Sequence, residues 1–256
     1  MKTFFVRIGE RLLQFIEHLG SMFLLIFEAI RILFYSPPRF KLVIKQMYQI
    51  GVLSLPVIAL TGGFTGMVLA IQSYYQFHQI TMETAIGILV GLSMTNELGP
   101  VLTGVMIAGR VGASMAAEIG TMNVTEQIDA LKTLATNPIK HLVTPRFIAC
   151  IIMIPLLTAL AIFIGIIGGY FVGVHMLHIN QTFFLENMLD FTTVGDLLCG
   201  LTKALFFALI ISMICCYKGY YAKNGAEGVG KATTEAVVLS CITILISDFF
   251  LSIILY

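Results

Sequence analysis

The sequence predicts an all-α integral membrane protein: five transmembrane helices, an N-terminal amphipathic interfacial helix and a short cytoplasmic helix between the second and third spans. Three observations carry this. The 256 residues are 58% hydrophobic and 11% charged, with a mean hydropathy of +0.94, where a soluble domain carries about 25% charge. Five apolar runs, at 50–72, 84–109, 147–174, 197–217 and 235–256, each reach the roughly 20 residues a helix needs to cross a bilayer. All of the 15 Lys and Arg residues except Lys203 fall on one side when these runs are threaded back and forth. The 73–83 and 175–196 loops have none. Basic residues mark the cytoplasmic side, so the N-terminus is expected inside and the C-terminus outside.

Taken in order, residues 4–19 place Phe5, Ile8, Leu12, Phe15, Ile16 and Leu19 on one helical face, with Arg7, Glu10, Arg11, Gln14, Glu17 and His18 on the other. That pattern suits a helix lying in the membrane interface. The run 19–34, broken by Glu28 and Arg31, is short for a span and lacks the small-residue cleavage site of a signal peptide. It continues the interfacial helix or dips into the bilayer, and Tyr35-Ser36-Pro37-Pro38 ends it. The chain therefore divides into residues 1–46 and a five-span domain, 47–256, with a cytoplasmic loop over about 110–146. Gly62 and Gly66, Gly87 and Gly91, and Gly165, Gly169 and Gly173 recur four apart. Such spacing lets helix backbones approach closely, either inside the chain or across a dimer seam.

A net charge of +1 implies no nucleic-acid partner. Cys150, Cys199, Cys215, Cys216 and Cys241 lie in or beside apolar runs without a CxxC pair and read as small apolar fillers. His175 and His178 stand three apart and read as interfacial polar residues.

Three ionisable residues fall inside spans, where charge is costly and faces the bundle interior or water. Glu97 lies near the middle of the second span, followed by Gly99-Pro100. A proline frees backbone carbonyls, which is tolerated best where the backbone lines a cavity. Glu97 is thus either a cavity residue or a protonated carboxyl closing a structural hydrogen bond. Lys203 and Asp248 sit at similar depth, roughly 10–12 Å from the outer ends of their spans at 1.5 Å per residue. They form an intramembrane charge pair, unless Lys203 snorkels to the interface.

On the cytoplasmic side, Asn123 and Glu126 have capping-box spacing ahead of Val124, Ile128, Leu131 and Ala135, and Asn137-Pro138 stops the pattern. This predicts a capped amphipathic helix over 124–136 that fits a partner's groove or lies on lipid. Gly225–Lys231 matches GxxxxGK, yet Ala232 stands where a phosphate loop needs Ser or Thr, and no strand precedes it. It reads as a flexible cytoplasmic turn, so ATP hydrolysis is expected elsewhere.

The ordered segments ELGPVLTGVMIAGRVGASMAAEIGTM, TEQIDAL, NPIKHLVTPRF and GVGKATTEAVV resemble the MlaE permease family, the membrane subunits of Mla/Mce-type ABC transporters, over about residues 40–250. The resemblance implies a homodimer in the bacterial inner membrane with its C-terminus periplasmic. It implies a cytoplasmic ABC ATPase holding ATP and Mg, a STAS-domain regulator and a periplasmic MCE-domain ring, with no cofactor in this chain. By position, Glu97 matches the intramembrane glutamate of the family's lipid cavity. Leu69, Tyr74 and Phe77 match the end of the first span that lines it, and Asn96 would face the same lipid. Glu118, Glu126, Gln127, Ile128 and Leu131 fall in the region that couples to the ATPase. Lys203 and Asp248 match charged positions in relatives. One departure is Asn96, where relatives often carry a basic residue. The implied task is phospholipid traffic between inner and outer membranes, maintaining outer-membrane lipid asymmetry. Two alternatives are a permease for sterols or other hydrophobic cargo and a non-transporting scaffold for an MCE ring.

Overall fold

The computed structural model describes residues 13, 16–17, 19–25, 27–32, 40–78, 82 and 85–255. Among these there is no strand. Most of the interfacial helix expected over 4–19 lies outside the described residues. Residues 19–25 and 27–32 are helical and bury Met22, Leu25 and Ala29 in the protein's core, leaving Phe23, Leu24 and Phe27 exposed.

Five long apolar helices follow: α1 (Phe40–Phe77), α2 (Ile86–Val124), α4 (Ile139–Met176), α6 (Val194–Tyr220) and α7 (Gly225–Leu255). Two short ones join them, α3 (Gln127–Thr133) and α5 (Gln181–Phe191). The fold is that of a multi-pass all-α membrane protein. The helices outrun the apolar runs. α2 has 39 residues, roughly 58 Å of helix, against about 30 Å of bilayer hydrocarbon. From Arg110 to Val124 the expected loop is therefore the same helix, projecting beyond the apolar span, and turns follow only at 125–126 and 134–137. Likewise α1 runs unbroken through 46–47 apart from one tighter turn at Val52–Ser54, so a domain boundary there falls inside a helix.

α4 is the central helix, packed against α1, α2 and α6. The glycine ladders serve this internal packing. Gly62 lies on the backbone of Ala161, Gly66 on that of Gly165, and Gly87 on that of Phe184. α5 occupies what the sequence suggests is a plain outer loop. Asn180 caps it, accepting from the Thr182 N–H at 2.9 Å, and Phe184 anchors it in the outer core. Its one sequence signal was Asn180, a favoured N-cap residue standing immediately before Gln181. Gly225, at φ 64°, ends the preceding loop in the left-handed region, and α7 begins there. Gly225–Lys231 is thus the first two turns of a helix, not a flexible turn.

Candidate functional site

The centre of interest is the point in α2 where Pro100 interrupts the hydrogen-bond ladder. Proline has no N–H and its ring clashes with the carbonyl four residues back, here that of Asn96. The helix answers with a wide π-helical turn over Met94–Leu98, a feature that often marks functional positions. Glu97 lies in this turn, about 17 Å into α2, close to half the hydrocarbon thickness.

Opposite, Gly200 lets α6 pass directly over the carbonyl of Thr95, where a Cβ would collide. One turn later Lys203 reaches the opened segment. Its ammonium is fully buried and donates to the freed Asn96 carbonyl (3.0 Å), to Glu97 Oε1 (2.8 Å) and to Ser252 Oγ (2.8 Å). Asp248 Oδ1 stands 3.2 Å away and pairs with it in charge. Ser252 is one turn beyond Asp248 on α7 and lies 3.1 Å from Glu97 Oε1. Three spans therefore meet on one lysine.

The members differ in access. The Glu97 side chain is 44% exposed, that of Asp248 17% and that of Lys203 0%. Glu97 is the part of the cluster that opens outward. Asn96 donates to Asp196 Oδ1 at 3.4 Å, while its own Oδ1 is buried without a partner. Leu98, the residue after Glu97, forms an open apolar groove of about 450 Å³ with Phe64, Thr65, Val68, Leu69 and Gln72 of α1. Leu69 thus adjoins the cluster through Leu98. Tyr74 and Phe77 stand apart, packed on the outer core, with Tyr74 stacked on His78. Sequence reasoning missed Ser252 and the tie between Lys203 and Glu97. The usable signal was Pro100, which announces an unpaired carbonyl at Asn96. Asn96 carries no charge, and the base that meets Glu97 is Lys203 from across the bundle.

At the Val124 end of α2 the expected capping box does not form. Asn123 donates instead to the Ala222 carbonyl (2.8 Å), and Glu126 takes a left-handed conformation at φ 60° between α2 and α3. α3 is accordingly shorter than 124–136. Of the residues assigned to coupling, Glu126 and Gln127 are exposed, Leu131 is half-buried, and Ile128 is buried in the chain's own core. Ile128 is therefore closed to a partner. Glu118 pairs with the buried Arg146 at 2.7 Å, tying the projecting part of α2 to α4. Arg146 also donates to the Leu142 carbonyl at 2.8 Å. Among the described residues no group of three or more His, Cys, Asp or Glu side chains is placed to hold a metal. His175 stacks on Phe171, and the five cysteines are free thiols.

Comparison with protein families matches residues 43–254 to the family described as Permease MlaE. The chain belongs to the MlaE permease family. Among curated proteins it is 50% identical over 245 residues to a probable ABC transporter permease protein of Rickettsia felis, covering 96% of this chain and 95% of the relative. It is 48% identical over 209 residues to a probable ABC transporter permease protein of Synechocystis, covering 82% and 80%. It is also 38% identical over 255 residues to the intermembrane phospholipid transport system permease protein MlaE of Haemophilus influenzae, covering 99% and 98%. As a member of the MlaE family the chain is a multi-pass permease subunit of the ABC transporter class.

Proposed function

We propose that this chain is the permease of an ABC complex that moves phospholipid between the inner and outer membranes and so maintains outer-membrane lipid asymmetry. In this reading two copies sit in the inner membrane with C-termini in the periplasm. A cytoplasmic ATPase binds ATP and Mg and drives them, a STAS-domain protein regulates it, and an MCE-domain ring continues the path outside. The observation that carries the proposal is the pairing of a half-open ion cluster with an apolar groove at mid-bilayer. Glu97 offers acceptor oxygen to a polar head, while Phe64, Val68, Leu69 and Leu98 offer a surface to acyl chains. Burying charge in the membrane is expensive, and a scaffold or a carrier of purely apolar cargo gains nothing from it. The name of the Haemophilus relative supports the same cargo.

The test is Glu97→Leu in the assembled complex. Lys203 keeps Asp248, Ser252 and the Asn96 carbonyl in this variant, so assembly should persist while lipid transfer between donor and acceptor vesicles falls roughly tenfold or more, the loss of one charge-assisted contact. Normal transfer would mean that Glu97 is structural only.

A further inference from the structure

A second lipid-shaped surface lies far from the ion cluster, at the cytoplasmic end of α7. The loop between α6 and α7 and the first turns of α7 enclose a pocket of about 230 Å³, lined by Lys218, Tyr221, Lys223, Asn224, Lys231 and Glu235 among others. Lys218 is taken up by Glu235 at 2.6 Å. The exposed Lys223 and Lys231 therefore set the sign of the pocket, which is positive. Glu227, one turn before Lys231, is not among the lining residues.

This pocket does not end at the membrane surface. It shares Lys218 and Glu235 with a groove of about 330 Å³ that continues along α7 over Thr234, Val238, Leu239 and Ile242. Lys231, Glu235, Val238 and Ile242 recur at helical spacing and so share one face, cationic at the top and apolar below. From Lys231 to Ile242 is about 16 Å along the axis, close to half of a bilayer's roughly 30 Å hydrocarbon core. The shape is that of one leaflet's lipid. The GxxxxGK match contributes no nucleotide site here, because its glycines are wound into the helix.

We infer that this face binds an anionic phospholipid of the cytoplasmic leaflet, with its phosphate between Lys223 and Lys231 and an acyl chain against Val238 and Ile242. Basic pockets between transmembrane helices on the cytoplasmic side take such headgroups, and the charge of the pocket selects them over zwitterionic ones. The site is independent of the cavity at Glu97.

The experiment uses the full chain in phosphatidylcholine vesicles containing a trace of phosphatidylglycerol with a photoreactive acyl chain. Phosphatidylcholine and diacylglycerol carrying the same chain serve as comparators. The phosphatidylglycerol probe is expected to label residues 232–242 roughly tenfold more than either comparator, the order expected for two lysines near an anionic head. The excess should vanish in the Lys223→Gln/Lys231→Gln variant and persist in the corresponding double arginine variant. Equal labelling by all three probes means ordinary annular lipid and overturns the inference. So does an excess that survives the glutamine substitutions, or photolabel recovered only from a second protein chain occupying the face. The headgroup comparison is made on the unaltered chain, so it decides even if a variant fails to fold.

Discussion

Lys203 holds the ion cluster together because, among the described residues, it is the one cation that Glu97 and Asp248 share. An ammonium stripped of water is tolerable only when oxygens replace that water, and here Glu97, Ser252, Asn96 and Asp248 do so. Lys203→Met should therefore cost on the order of 3–5 kcal/mol, since it leaves two carboxylates facing one another. Asp248→Asn should cost less, because Glu97 and the Asn96 carbonyl still hold the lysine. In a double-mutant cycle of unfolding in detergent the two losses should be strongly non-additive. Additive losses would mean that the cluster does not act as a unit. The similar depth of Lys203 and Asp248 was legible in the sequence. The tie to Glu97 was not, because it depends on how far α6 slides along α2. That register is set by Gly200 seating on the Thr95 carbonyl, a tertiary contact with no periodic trace.

At the scale of elements, α2 carries both ends of the proposed mechanism. One helix bears Glu97 in the membrane and Glu118 beyond it, with a second π-helical turn at Ala108–Gly112 between them. In the proposed mechanism a push at the Val124 end reaches the cluster along one continuous helix through two wider turns. In the same proposal the surface that meets the ATPase is the exposed side of α3 and its end. Leu134 is 73% exposed there, whereas Ile128 is buried. Leu134→Asp should reduce ATPase co-purification about tenfold with an unchanged melting temperature. Ile128→Asp should instead lower the melting temperature by burying an unpaired charge. The reverse pattern would move the docking surface elsewhere. The glycine ladders give a second contrast. Gly66→Ala meets the Gly165 backbone, which cannot give way, and should cost about 1–3 kcal/mol. Gly230→Ala meets nothing within 4 Å and should be neutral or stabilising by about 0.5–1 kcal/mol, as read by thermal unfolding. The existence of each long helix was legible from apolar runs. Their ends were not, because α2 and α4 continue as helix once packing with neighbours replaces lipid as the reason to stay wound.

At the scale of the whole molecule, the described residues gather into two apolar cores, with the ion cluster beside the groove on the α1–α2 side. One core gathers Ile107, Ile119, Ile128 and Ile211, and the other gathers Ile86, Val90, Met94 and Phe184. α7 buries little of its surface within the chain and exposes Leu245, Ile246, Phe249 and Phe250. A lipid path needs these cores to stay packed while the surface at Glu97 and Leu98 stays accessible. Photocrosslinking amino acids at Leu69 and Leu98, with one at Leu245 as a lipid-facing control, test this most directly in the assembled complex. Phospholipid should be captured at Leu69 and Leu98, should survive detergent extraction there, and should disappear on ATP turnover, while capture at Leu245 follows bulk lipid throughout. Capture of neighbouring protein alone at Leu69 and Leu98, or lipid labelling that tracks Leu245 under every condition, would contradict a cargo cavity beside the ion cluster.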